Sequence, residues 1–190
     1  MVAPSAVPLH RYPAPVSVDS GQSMLAVIDV QERVIPEMAD PDRVVRNCDR
    51  LTEAATLCGV PATATEQLPE RLSGTIEPIR SRVSGCVEKL AFGAAGVLPM
   101  LPGREQIVLC GFETHACVLQ TALQLLTDGR TPIVVRDACG CRHEADHDAA
   151  IERMQHSGIT IVTTEMLMLE WVSNAAHPAF VEVSRLIREG

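Results

Sequence analysis

Short apolar runs alternate with stretches of helical spacing along this chain, and that alternation limits what it can fold into. "MLAVIDV" (24–30) is an unbroken apolar run ending in an acid, the pattern of a strand buried on both faces. "VPATATEQ" (60–67), "VSGCVEKLAF" (83–92), "QIVLCGF" (106–112), "TPIVVRDA" (131–138) and "ITIVTT" (159–164) supply five further strands. Between them, "PDRVVRNCDRLTEAATLCG" places Val44, Val45, Cys48, Leu51, Ala54, Ala55 and Cys58 at helical spacing, opened by Pro41 and stopped by Gly59. "EADHDAAIERMQHSG" reads as a helix ended by Gly158, and two more helices are expected in "EMLMLEWVSNA" and "PAFVEVSRLIRE". The stretch 68–82 reads as loop with at most one helical turn. Strands alternating with helices predict a parallel α/β sandwich in three layers.

A chain of 190 residues forms one domain with a full core, expected over residues 21–190. Residues 1–20 are proline-rich and read as an N-terminal arm without an apolar signal core. A net charge of −8 argues against nucleic acid or an anionic membrane as a general partner. No apolar run approaches the roughly 18–20 residues of a membrane span. The seven cysteines are odd in number and include no C-x-x-C, which suits free thiols in a reducing cytoplasm. Cys48, Cys58, Cys86 and Cys110 read as core filler, and Cys139 and Cys141 as thiols of a turn around Gly140.

Cys117 stands apart. It lies in "CGFETHACVLQTALQLL" (110–126), a strand end followed by a turn and the opening of a helix. Helix N-termini concentrate unpaired N–H groups and positive dipole, which favour a thiolate, although a cysteine also packs as a small hydrophobe. In open parallel sheets ligands bind beyond the carboxyl ends of the strands, where strand order reverses. With the order 3-2-1-4-5-6, Asp29 at the end of the first strand and Cys117 after the fourth share one crevice. A thiol needs a base or a positive neighbour to attack a carbonyl near neutral pH. Asp29 is the candidate base and Lys89, after the third strand, the candidate cation. Taken singly, each position is more often structural than catalytic: such an acid caps a turn, and such a lysine is solvated.

"VIDVQE", "TEQLPERLSGTI", "VEKLAF", "LCGFETHACVLQTALQLL", "VVRDACGCR" and "TTEMLMLEW" occur in this order from Met24 onward. In that set the chain resembles the isochorismatase-like cysteine hydrolases. The resemblance implies a six-stranded parallel Rossmann-like sheet, order 3-2-1-4-5-6, and a catalytic triad of Asp29 as acid–base, Lys89 as orienting cation and Cys117 as nucleophile. It also implies an oxyanion hole from the backbone N–H groups of Glu113 and Cys117, with a cis Phe112–Glu113 bond to aim the former. The function it implies is hydrolysis of a small amide-type C–N bond through a thioester, without a cofactor. Alternatives within the same fold are cleavage of a vinyl ether such as isochorismate, and a catalytically idle oligomeric or regulatory role. A homo-oligomer, dimer or higher, is expected from the resemblance and from the apolar C-terminal stretch.

The nicotinamide-degrading relatives carry an Asp-x-His metal motif after the second strand. "ATATEQLPERL" lacks the histidine, so no metal is expected. Cys141-Arg142 stands where many relatives have Ser-Arg. Gln31, Glu66, Gln67 and Phe92 are candidate substrate-binding residues, each explicable also as a cap, surface or core residue. "HEADH" (143–147) matches the H-E-x-x-H zinc signature. It straddles a turn, however, with His143 expected at or before the helix cap, whereas zinc needs both histidines on one helix face.

Overall fold

Six strands form one all-parallel sheet in the order β3-β2-β1-β4-β5-β6, in a computed structural model that describes residues 17–190. The strands are β1 (Ser23–Ile28), β2 (Ala62–Gln67), β3 (Cys86–Lys89), β4 (Gln106–Phe112), β5 (Thr131–Gly140) and β6 (Thr160–Val162). β1 and β4 are buried at every position, as their unbroken apolar runs require. The helices are α1 (Pro41–Leu57), the short α2 (Pro69–Leu72) and α3 (Ile79–Arg82), α4 (Leu119–Thr127), α5 (Glu144–His156), α6 (Thr164–Val172) and α7 (Phe180–Arg188). The stretch 68–82 thus holds two helical turns rather than one. The N-terminal arm expected over 1–20 falls mostly outside the described residues. Asp19 N–H donates to Gln106 Oε1 at 2.8 Å, so the chain is already fixed to the sheet there.

Alternate residues of each strand feed two cores. Leu25 and Val27 of β1 join Val44, Cys48 and Leu51 of α1 and Leu167, Met168 and Trp171 of α6 on one face. Met24, Ala26 and Ile28 join Leu119, Ala122 and Leu125 of α4 and Ile151 and Met154 of α5 on the other. α1 is amphipathic because its apolar positions follow the 3.6-residue period; Pro41 opens it and Gly59, at φ 67°, follows its end.

β5 runs longer than its apolar segment suggests. Its pairing with β4 shifts between Leu109 and Gly111, so that Leu109 pairs with Val134 and Gly111 with Cys139. The extra residues bulge out, and the strand resumes to Gly140. Cys139 and Cys141 are therefore buried rather than thiols of an open turn. Strand order reverses between β1 and β4, where the chain first winds toward β3 and then toward β6. No helix among the described residues is long and apolar enough to cross a membrane.

Candidate active site

Asp29 follows directly on β1 and has left the extended region, at φ 51°. That conformation is uncommon outside glycine, and such residues gather at functional sites. It turns the carboxylate over the carboxyl edge of the sheet. Oδ1 accepts a 2.7 Å hydrogen bond from Thr65 Oγ1 of β2, and Oδ2 lies 2.7 Å from Lys89 Nζ. The contact with Lys89 is an ion pair without hydrogen-bond alignment, so Oδ2 keeps a lone pair unengaged.

Lys89 ends β3, and its side chain is buried. A buried ammonium is costly unless its N–H groups are all met. Here Nζ donates to Gln67 Oε1 at 2.7 Å, to the Phe92 carbonyl at 3.0 Å and to Cys117 Sγ at 3.5 Å. One cation thus spans acid and thiol. Thr65 and Gln67 serve the same cluster because alternate residues of β2 face the same way.

Cys117 does not open a regular α-helix. A π-helical turn, Thr114–Val118, precedes α4, and the Glu113 carbonyl accepts from both Ala116 N–H and Val118 N–H. The Cys117 N–H between them is not among the donors to that carbonyl. Such turns recur at functional sites. The thiol is not eased toward ionisation at rest, as a helix start would favour: burial first, then the charge of Asp29, push it up to about 12 from 9.0, while Lys89 pulls the other way.

The Phe112–Glu113 bond is trans; among the described residues the cis bond is Glu77–Pro78. The expected cis bond is therefore a correction. Gly111, at φ 115°, gives β4 a conformation that favours glycine one residue before its end.

A cavity of about 330 Å³ opens over this cluster, lined by Asp29, Gln67 and Cys117 at its base. Val34, Met38, Leu72 and Phe92 supply its apolar lining, and Arg33, Glu37, Glu113, His115 and Arg142 its polar lining. Arg142 Nη2 donates to Glu113 Oε1 at 2.6 Å. A larger groove of about 620 Å³, between α1, β5 and α5, contains none of the triad.

Of the predicted binding residues, Gln67 and Phe92 line the cavity and Gln31 and Glu66 do not. Gln31 is a buried strut: Oε1 accepts from Gln67 N–H at 2.8 Å, and Nε2 donates to the Gln67 and Ser73 carbonyls. Glu66 points to the opposite face of β2, where it accepts from Thr75 N–H at 2.8 Å and pairs with Arg80. Both are polar residues near a strand end, and only side-chain direction separates them from site residues. Thr65, Arg33, Glu37 and His115 were missed. Thr65 was legible in principle, two residues before Gln67 on the same strand. The zinc signature does not assemble: His143 caps α5 from outside in extended conformation, and His147 turns inward to Thr114.

A parallel α/β sheet with an acid, an amine and a thiol gathered at its switch point defines a class, the α/β proteins of Rossmann-like fold. Comparison narrows the class. A family model described as the isochorismatase domain matches residues 87–166. Isochorismatase domain-containing protein 2A of Mus musculus is 39% identical over 171 residues, 88% of this chain and 83% of that protein. The structure of MAR1 ribonuclease from Caenorhabditis elegans superposes with a TM-score of 0.85 at 30% identity, over 90% of this chain and 92% of that one. The YcaC gene product of Escherichia coli, described as an octameric hydrolase of unknown specificity, shares the fold with a TM-score of 0.76 at 20% identity, over 92% and 96% of the two chains. The chain belongs to the isochorismatase domain family of hydrolases.

Proposed function

We propose that the chain hydrolyses a small amide-type C–N bond through a thioester on Cys117. The observation that carries this reading is the contact of Lys89 Nζ with both Asp29 Oδ2, at 2.7 Å, and Cys117 Sγ, at 3.5 Å, at the base of a cavity. Because the resting thiol is protonated, its proton moves to Asp29 as sulfur attacks the carbonyl carbon. The carbonyl π electrons pass to oxygen. The Cys117 N–H, left out of the Glu113 carbonyl's bonds, is the oxyanion donor; with the Phe112–Glu113 bond trans, the Glu113 N–H lacks the device expected to aim it. Collapse breaks the C–N bond, and the departing nitrogen takes the proton held by Asp29. Water then gives a proton to Asp29 and adds to the thioester; release of the acid returns a proton to sulfur.

Two arginines and two glutamates beside apolar side chains suit a small uncharged or zwitterionic substrate. That cavity and a net charge of −8 fit a small molecule better than the RNA that the name of the C. elegans neighbour suggests. The test is a hydrolysis screen over small amides, ureides, isochorismate and RNA, comparing the wild type with Cys117→Ala. Amide or ureide turnover lost in Cys117→Ala supports the reading. Turnover of isochorismate that survives Cys117→Ala sinks it, and so does cleavage of RNA alone.

A further inference from the structure

The zinc-like motif has a different use in the fold. His147, four residues into α5, is buried at the edge of the groove between α1, β5 and α5, and its Nδ1 lies 2.9 Å from Thr114 Oγ1. Thr114 is fully buried and opens the π-helical turn that carries Cys117. No side chain caps that turn at Glu113. Besides the contact of Lys89 Nζ with Cys117 Sγ, two side-chain bonds hold it. One is the Thr114–His147 bond to α5. The other runs from Thr121 Oγ1 to the Cys117 carbonyl at 2.6 Å, with Thr121 Oγ1 in turn accepting from Ala94 N–H at 2.9 Å. Only the first crosses to another helix.

We infer that His147 is a positioning residue for the nucleophile, acting through Thr114 to fix the turn between Glu113 and Cys117. The inference rests on the cysteine chemistry proposed above. Burial, and next the charge of Arg43, lower the His147 pKa from 6.5, so the ring is neutral near pH 7 and has one N–H and one lone pair. Either tautomer satisfies the Thr114 hydroxyl, which otherwise would be a buried polar group without a partner. The bond sets the rotation of Thr114 and with it the first residue of a turn whose carbonyl and N–H pattern departs from a regular helix. A turn free to relax toward regular helix would move Sγ away from Lys89 Nζ, and displacements of about 1 Å at reacting groups cost on the order of 100-fold.

The readout is the rate of iodoacetamide labelling at Cys117 near neutral pH, followed by peptide mass, with melting temperature measured alongside. His147→Leu and the isosteric Thr114→Val should slow labelling about tenfold or more. Thr114→Ser and His147→Asn, which keep a bonding group, should recover to within about threefold of wild type. Wild-type labelling rates in a folded Thr114→Val overturn the inference, as does a Thr114→Ser variant as slow as Thr114→Val. If His147→Leu does not fold, the threonine pair decides. A wild-type Cys117 that labels no faster than the core thiols Cys110 and Cys139 overturns the cysteine chemistry and this inference with it. Normal wild-type labelling with unaffected variants overturns this inference alone.

Discussion

Asp29 and Lys89 each occupy a position that stability alone disfavours, and Cys117 sits against both. Asp29 is held at positive φ and Lys89 is an ammonium in the interior. Their mutual contacts offset these costs, so removing one member strands the others. Lys89→Met should leave Asp29 as a buried uncompensated charge, at a cost of about 3–5 kcal/mol. For a chain of this length that is a fall in Tm of roughly 10 °C, measurable by calorimetry. A change of under about 2 °C would mean that the pair contributes nothing net. The Cys117 thiol carries its own pH signature. Its folded pKa, about 12, lies above the ordinary 9.0, so the stability it contributes is complete below pH 9 and is lost as pH rises toward 12. Between pH 8 and pH 11 the wild type should lose more Tm than Cys117→Ser, which has nothing to ionise there. Parallel curves for the two proteins would contradict the raised pKa.

At the scale of elements, two devices bring the triad together. The first is the exit from β4. Gly111 pairs with Ile28 of β1 and sits at φ 115°, and any Cβ there would collide with the Ile28 backbone carbonyl. Gly111→Ala should therefore cost about 3 kcal/mol or more and lower kcat, because relief of the collision pushes the Cys117 turn off the edge of β1. A normal melting temperature with normal activity would show that the exit tolerates a side chain. The second device is the Gln31 strut, which bridges the end of β1, the end of β2 and the Ser73 carbonyl. Gln31→Ala orphans a buried N–H and buried carbonyls and should cost about 2 kcal/mol, seen as a lower urea midpoint with an unchanged m-value. Because Gln31 touches no cavity surface, KM should change less than stability does; a large rise in KM at constant stability would return it to the list of substrate contacts.

For the whole molecule, the apolar C-terminal stretch is mostly consumed by the chain's own core. Leu167, Met168, Trp171, Val172 and Val183 are buried, while Leu169 and Val181 stay exposed. Large apolar side chains are exposed elsewhere as well. Leu90 is 81% and Phe92 57% exposed, and Phe92 is also part of the cavity wall. Apolar surface beside a cavity is where association with a second copy removes most water. Light scattering at micromolar concentration should give a mass above the 20.5 kDa of one chain. A mass of one chain would set the homo-oligomer aside.

The layered α/β class, most of the strand positions and the helical stripe of α1 were legible in the amino-acid sequence, because period and apolar run length are local properties of a chain. β4 falls on the very residues of its apolar run, Gln106–Phe112. Cys117, Asp29 and Lys89 could be named from motifs, but their meeting depends on strand order, and order is a long-range outcome of how the crossovers wind. The same limit explains the errors. Gln31 and Glu66 carry the right chemistry near the right strand ends, yet their side chains turn to a strut and to the opposite sheet face. Cys139 was placed in a turn because the bulge that prolongs β5 exists only through its pairing with β4. The thiol's pKa followed burial and the neighbouring acid, which no run of residues around Cys117 encodes. What the sequence by itself determined is the set of elements and the residues able to do chemistry. Which of them share one cavity, and in what protonation state, only the tertiary structure decided, because distance, desolvation and side-chain direction arise between segments far apart in the chain.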